Sequence, residues 1–189
     1  MRRRAENVFI FCMKKSELIR VLGLKPLTIE GGHFAETHRD GLQIPKSALP
    51  PSFRAESYAA STAIYYMLSA GETSSMHSVS ADETWHFYRA GRDGVFVELL
   101  TVSPDGESEL VRLGPAIERG EKPQHTVKKG LWMGARTVSA NGASDPETCW
   151  ALMGATVAPS FEYADFTKGD TEEIARICPE RAALIRALG

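Results

Sequence analysis

The sequence predicts an all-β antiparallel sandwich or barrel with short flanking helices, and three observations carry that expectation. Seven short runs rich in β-branched and aromatic residues follow one another between positions 61 and 157. Turn signals containing glycine or proline separate them, among them Gly91-Arg92-Asp93-Gly94, Ser103-Pro104-Asp105-Gly106 and Asn141-Gly142. No strand-helix alternation of the dinucleotide-binding type is visible.

Taken in order, Ser16 is a candidate N-cap, Leu18, Ile19 and Leu22 share a helical face, and Gly23 supplies a left-handed stop, so 17–22 reads as a short helix. The stretch 33–39 follows Gly31-Gly32 and alternates in type, which predicts a strand leaving a corner. Residues 40–57 carry Pro45, Pro50 and Pro51 among polar residues and read as a surface loop. The seven β runs are 61–68, 84–88, 95–102, 109–113, 125–127, 131–138 and 149–157. Near the end, Asp170 and Glu173 suit a capping box ahead of Ile174 and Ile177, Pro179 interrupts, and 182–188 continues as a second helical piece. These helices are expected to cover the outside of the barrel.

The chain has 189 residues, 43% of them apolar and 24% charged, which suits one closed core. A formal charge of -2 leaves no overall positive field for a phosphate backbone, so no nucleic-acid partner is expected. Three cysteines, Cys12, Cys149 and Cys178, stand at wide spacing with no Cys-x-x-Cys, and read as reduced thiols. Arg2, Arg3 and Arg4 precede an apolar run, 8–13, that is too short to span a bilayer and lacks a signal cleavage site. Residues 1–12 are therefore expected to be a dispensable extension, with no membrane partner and a cytoplasmic location.

The densest group of titratable and aromatic residues lies between Gly71 and Gly91 and includes His77, Val79, Asp82, Glu83, Trp85, His86 and Tyr88. This stretch resembles the first motif of a cupin, with Gly71, His77 and Glu83 on the pattern and Val79 in place of the second histidine. The second motif corresponds to 128–133, where the glycine is kept as Gly130 and the histidine is replaced by Met133. The chain is similar more narrowly to the cupin_5, or DUF985, subgroup. That resemblance rests on Leu22-x-Leu24-x-Pro26, Glu30-Gly31-Gly32-His33-Phe34-x-Glu36-Thr37, Ser61-Thr-x-Ile64-Tyr65, Asp82-Glu83-x-Trp85-His86-Phe87-Tyr88, Pro123-Gln124 and Ala158-Pro159-x-Phe161-x-x-x-Asp165-Phe166. It implies a double-stranded antiparallel β-helix, or jelly roll, as one domain over 13–189, with its barrel core at about 24–168 and terminal helices at 171–188. It also implies a homodimer.

A cupin metal site would draw His, His and Glu from the first motif and His from the second. Here a hydrocarbon and a thioether stand at two of those positions, and neither offers much to a hard or borderline cation. No cofactor is expected; if a divalent metal binds, His77 and Glu83 are its candidate ligands. His86 or Gln124 are the alternative donors, but on an unbroken strand Glu83, Trp85 and Phe87 share one face and His86 lies on the other.

Without a metal, a histidine beside a carboxylate suits removal of a proton next to a carbonyl. His77 with Glu83 or Glu36 is the candidate pair, and Tyr65 or Tyr66 a candidate acid, by likeness in class to metal-free epimerases of this fold. The candidate catalytic set is therefore His77, Glu83 and Tyr65, with Glu36, His86, Trp85, Gln124 and Trp132 as candidate ligand-binding residues. The expected function is binding of a small polar organic ligand, with isomerisation or epimerisation of a sugar nucleotide or keto compound as the leading chemistry. A metal-dependent, dioxygenase-like cupin and a non-catalytic sensor or storage module are the alternatives. Glu36 and Arg39 are close enough in sequence to form an ion pair instead. No Gly-x-Ser-x-Gly elbow is present, so 75–77 reads as a serine-rich turn.

Overall fold

In the computed structural model, which describes residues 13–189, two antiparallel sheets face each other across a hydrocarbon core. The strands are β1 (Lys25–Pro26), β2 (His33–Arg39), β3 (Gln43–Pro45), β4 (Ser57–Ala59), β5 (Thr62–Ser69), β6 (Thr73–Ser78) and β7 (Glu83–Ala90). They continue as β8 (Val95–Val102), β9 (Ser108–Leu113), β10 (Gln124–Val127), β11 (Trp132–Ser139), β12 (Trp150–Val157) and β13 (Thr167–Lys168). One sheet has the order β1-β2-β5-β12-β7-β10 and the other β13-β6-β11-β8-β9. Successive strands from β5 to β12 mostly pass from one sheet to the other, which makes the expected jelly roll. Every run read as β in the sequence is a strand here, most with ends shifted by only one residue.

Two sequence readings are corrected. Residues 73–78 form strand β6 between β11 and β13, so the serine-rich turn expected at 75–77 is part of a sheet. Serines flank Met76 and His77 there without alternation, and the neighbouring ladders override their weak β preference. The loop expected over 40–57 contains a small ladder, β3 with β4, whose Tyr58 packs edge to face on Phe53. Three-residue strands with prolines at hand leave too short a period to read.

The helices behave as their apolar faces require. Helix α1 (Lys15–Leu22) starts one residue before the proposed Ser16 cap, and Gly23 closes it at φ 64°. Its Leu18 joins Met67, Trp150 and Leu152 on the outer face of the first sheet. Helix α2 (Thr171–Ile177) is capped by Asp170, whose carboxylate accepts from the amides of Glu172 and Glu173. After a turn at Pro179, α3 (Ala182–Ala187) joins it over the second sheet, where Ile174, Ile185 and Leu188 bury Met76, Leu100 and Val102. No helix among the described residues is long and apolar enough to cross a membrane. The expectation for residues 1–12 lies outside the described residues.

Three bulges decide which side chains face inward. On β2 the partner of Glu36 is Ile64 and that of His38 is Ala63, so one extra residue sits at Thr37 and both Glu36 and Arg39 reach the same cavity. On β6, His77 faces Met133 while Ser74 faces Ala135, and the added residue turns both Ser74 and His77 inward. The third lies on β7 between Phe87 and Arg89, beyond the site.

Candidate functional site

The cavity sits at one end of the barrel, encloses about 90 Å3 and is lined by His77, Val79, Glu83, Glu30, Glu36 and Arg39 together with aliphatic and aromatic walls. Exposure grades along it. The His77 side chain is 2% accessible and Glu36 44%, which sets the imidazole at the bottom and Glu36 with Arg39 at the mouth. A more open groove of about 860 Å3 at the opposite end of β7 contains Arg89, Arg92 and Arg119 but none of these acids.

His77 is held on three sides. Its strand is paired by β11 and β13, its ring stacks on Phe166 at 5.2 Å between centroids, and its Nδ1 lies 2.7 Å from the Ser75 carbonyl oxygen. A carbonyl only accepts, so Nδ1 carries hydrogen and donates. In the neutral ring, the lone pair is consequently on Nε2. That nitrogen is 3.9 Å from a Glu30 carboxylate oxygen, beyond direct hydrogen-bond reach.

Glu30 comes from the corner 27–32, where the Gly31 and Gly32 backbones have φ of 112° and 68°. Its other oxygen accepts from Ser74 Oγ at 2.5 Å, and its backbone carbonyl accepts from the Ser75 amide. Tyr66, buried beside it on β5, donates its hydroxyl to the Gly31 carbonyl at 3.0 Å. Burial first, and the Glu30 charge second, hold the Tyr66 hydroxyl well above the ordinary tyrosine range.

Glu83 starts β7 and points into the same space, 9% accessible, with no hydrogen-bond or ion-pair partner for its side chain among the described residues. Burial, reinforced by the negative charge of Glu30, pushes its carboxyl up to about 8. The group is therefore an acid at neutral pH. The cavity thus brings the Glu83 carboxyl and His77 Nε2 into one space, where the one can give and the other take a proton.

The other nominated residues divide clearly. Glu36 is in the lining, but its carboxylate is taken by Arg39 through contacts of 3.0 and 3.3 Å, the ion pair anticipated from the sequence. Arg39 also reaches Glu162 at 2.6 Å. Trp85 is inside the barrel, edge to face with Tyr66 at 5.6 Å, and forms core; its indole nitrogen is buried without a partner.

Tyr65, His86 and Gln124 lie on the outer face of the first sheet, away from the cavity. Tyr65 alternates with the inward Tyr66 and packs with the α1 cluster and Tyr88. His86 pairs with Gly154 in a regular stretch of ladder, so the β7 bulge does not turn it inward, and it contacts Thr156 and the Tyr88 ring. Gln124 is its exposed cross-strand neighbour. Trp132 also points outward, against the α2–α3 cluster, while Met133 faces in.

Sequence reasoning did not nominate Glu30, Ser74, Arg39 or Phe166 for the site. Only Glu30 carried a signal, an acid immediately before two glycines. The others depend on bulges and on a long-range return of the chain.

Metal ligation does not fit these residues. Val79 takes its place in the cavity wall and Met133 lies directly across from His77, so two of four donor positions present hydrocarbon and thioether. Among the described residues no three His, Cys, Asp or Glu side chains are grouped to hold an ion.

A jelly roll whose polar cavity is built on β6 and β7, with β11 opposite, is a cupin. The chain belongs to the Cupin_5 family of the cupin superfamily (DUF985), whose family model matches residues 16–168. Among solved structures, a Shewanella oneidensis protein is 28% identical over 93% of this chain and 97% of its own, with a TM-score of 0.72. A hypothetical protein from Leishmania major is 25% identical over 93% of this chain and 98% of its own, with a TM-score of 0.77. Bacillus subtilis oxalate decarboxylase is far more distant, at 14% identity and a TM-score of 0.46 over 36% of its length. No curated protein matches the sequence.

Proposed function

We propose that the barrel cavity is a metal-independent acid–base site for a small polar organic molecule, with His77 as base and Glu83 as acid, and that the reaction is an isomerisation or epimerisation next to a carbonyl. The observation that supports this reading is that His77, its Nδ1 held by the Ser75 carbonyl, and the buried Glu83 carboxyl line one small space. Space restricts the substrate. About 90 Å3 is well below the roughly 300–1,000 Å3 of a site that encloses a drug-sized ligand, so a sugar nucleotide would place only its reacting end inside.

The test is solvent-deuterium incorporation into hydroxy-ketones, keto acids and sugar nucleotides by chelator-treated protein. Exchange at the carbon beside the carbonyl is expected, with a loss of about 100-fold or more in His77→Gln at an unchanged unfolding midpoint. Exchange that requires added metal, or no exchange with any of them, removes the catalytic reading.

We further infer that the partner of this chain is a second copy, joined through the outer face of the first sheet. The support is a strip there of Tyr65, His86, Tyr88 and Gln124, with no carboxylate, lysine or arginine among them and Tyr88 52% exposed. Light scattering is expected to give twice the chain mass and Tyr88→Asp to lower it; a monomeric parent protein overturns the assignment.

A further inference from the structure

Resting on the acid–base reading above, we propose that the cavity takes an uncharged hydroxy-carbonyl compound of a few heavy atoms and refuses small carboxylates of the same size. Electrostatic pairing around the lining carries this. Among the described residues Arg39 is the one guanidinium in the cavity wall, and Glu36 holds it with two contacts while Glu162 adds a third at 2.6 Å. Two carboxylates on one guanidinium leave the mouth negative, so an entering anion meets repulsion and no free cation.

Deeper in, the groups facing Glu83 are Glu30 from the glycine corner, Tyr66 from β5 and His77 from β6. None is a fixed cation. An anionic ligand would have to lose its hydration against Glu30 without compensation, which is costly in a closed, largely aliphatic space. What the cavity offers in return is one O–H donor and one lone pair. Glu83 is more than nine-tenths buried, aimed into the space and without a side-chain partner, so a ligand carbonyl oxygen is the acceptor it lacks. His77 Nε2 suits a ligand hydroxyl or an acidic C–H.

The reaction that follows is redox-neutral and balanced. His77 Nε2 takes a proton from the carbon bearing the hydroxyl while Glu83 gives its proton to the neighbouring carbonyl oxygen, which leaves an enediol. Glu83, now a carboxylate, takes the proton of the original hydroxyl, and the imidazolium returns its proton to the former carbonyl carbon. Each side chain ends in its starting state.

Hydroxyacetone is the neutral probe, glycolate and pyruvate the anionic ones, with binding read from the His77 ring resonances of the full-length protein. Hydroxyacetone is expected to bind at least tenfold more tightly than either anion. Its affinity should fall about tenfold per pH above 8, as Glu83 loses its proton. Glu83→Gln, which keeps a donor, should remove that fall. If an anion shifts the same ring resonances and binds tenfold more tightly than hydroxyacetone, the charge preference is overturned while the acid–base site stands. If none of the three moves the ring resonances at about 100 mM, both readings fall.

Discussion

Replacing Glu83 with glutamine is expected to stabilise the protein above neutral pH and to flatten a pH dependence that the parent protein shows. The buried carboxyl ionises at about 8 in the fold against 4.5 when free. Between those values the folded state holds a proton that the unfolded chain has released. Stability attributable to this group is therefore greatest below pH 4.5 and is lost as the pH rises towards 8. At about 1.4 kcal/mol per pH the full window corresponds to about 5 kcal/mol.

Two histidines oppose this slope. Burial lowers the proton affinity of His33 and of His125, so each contributes stability that increases as the pH rises towards 6.5. Comparing parent and variant at each pH cancels them. Denaturant unfolding at pH 5, 6, 7 and 8 should show the Glu83→Gln advantage growing steadily, to about 3 kcal/mol or more at pH 8. An advantage that does not change with pH would mean that Glu83 is already ionised in the fold, and the proton donor of the proposed site would be lost with it.

Gly31→Ala is expected to destabilise the fold by about 2–4 kcal/mol and to disturb the site at the same time. Gly31 has φ 112°, a conformation that a side chain strains, and a methyl group there would run into the Thr73 carbonyl oxygen. The corner cannot shift freely, because the Gly31 carbonyl accepts from Tyr66 and the Glu30 carbonyl accepts from the Ser75 amide. Relief of the clash moves Glu30, and with it the charge that helps to keep Glu83 protonated.

Gly130→Ala is the control. Its φ of 79° is also left-handed, but nothing lies within 4 Å of an added methyl, so about 1 kcal/mol is expected. Thermal or denaturant unfolding of the two variants separates them. Equal losses would show that the Gly31 corner is not held by its neighbours, and the coupling between that loop and the carboxyl pair would then have no structural basis.

The strands were legible because each long ladder member carries its own β-rich composition, and turn residues mark the ends of 95–102 and 109–113 plainly. β6 was not, since serines around Met76 and His77 have no local pattern that favours a strand. The capped helix α2 was legible for the opposite reason: Asp170 and the following acids act within one turn of chain. Of the nominated site, His77 and Glu83 share the cavity, as their motif spacing implied, and Glu36 reaches its rim. Tyr65 was nominated by likeness in class to metal-free epimerases, His86 as a neighbour of Glu83 in the motif and Gln124 as an amide after Pro123, and strand parity carries all three to the other face.

By itself the sequence determined the jelly roll, the loss of two metal donors at Val79 and Met133, and the presence of His77 and Glu83 in one motif, because all of these reside in local composition and motif spacing. Only the tertiary structure decided which acid stands beside the imidazole, that the Glu83 carboxyl keeps its proton, and that Arg39 is neutralised at the mouth. Those outcomes depend on bulges that reset the inward face of β2 and β6, and on burial, a property that arises only when distant segments such as 27–32 and 158–168 close over the barrel.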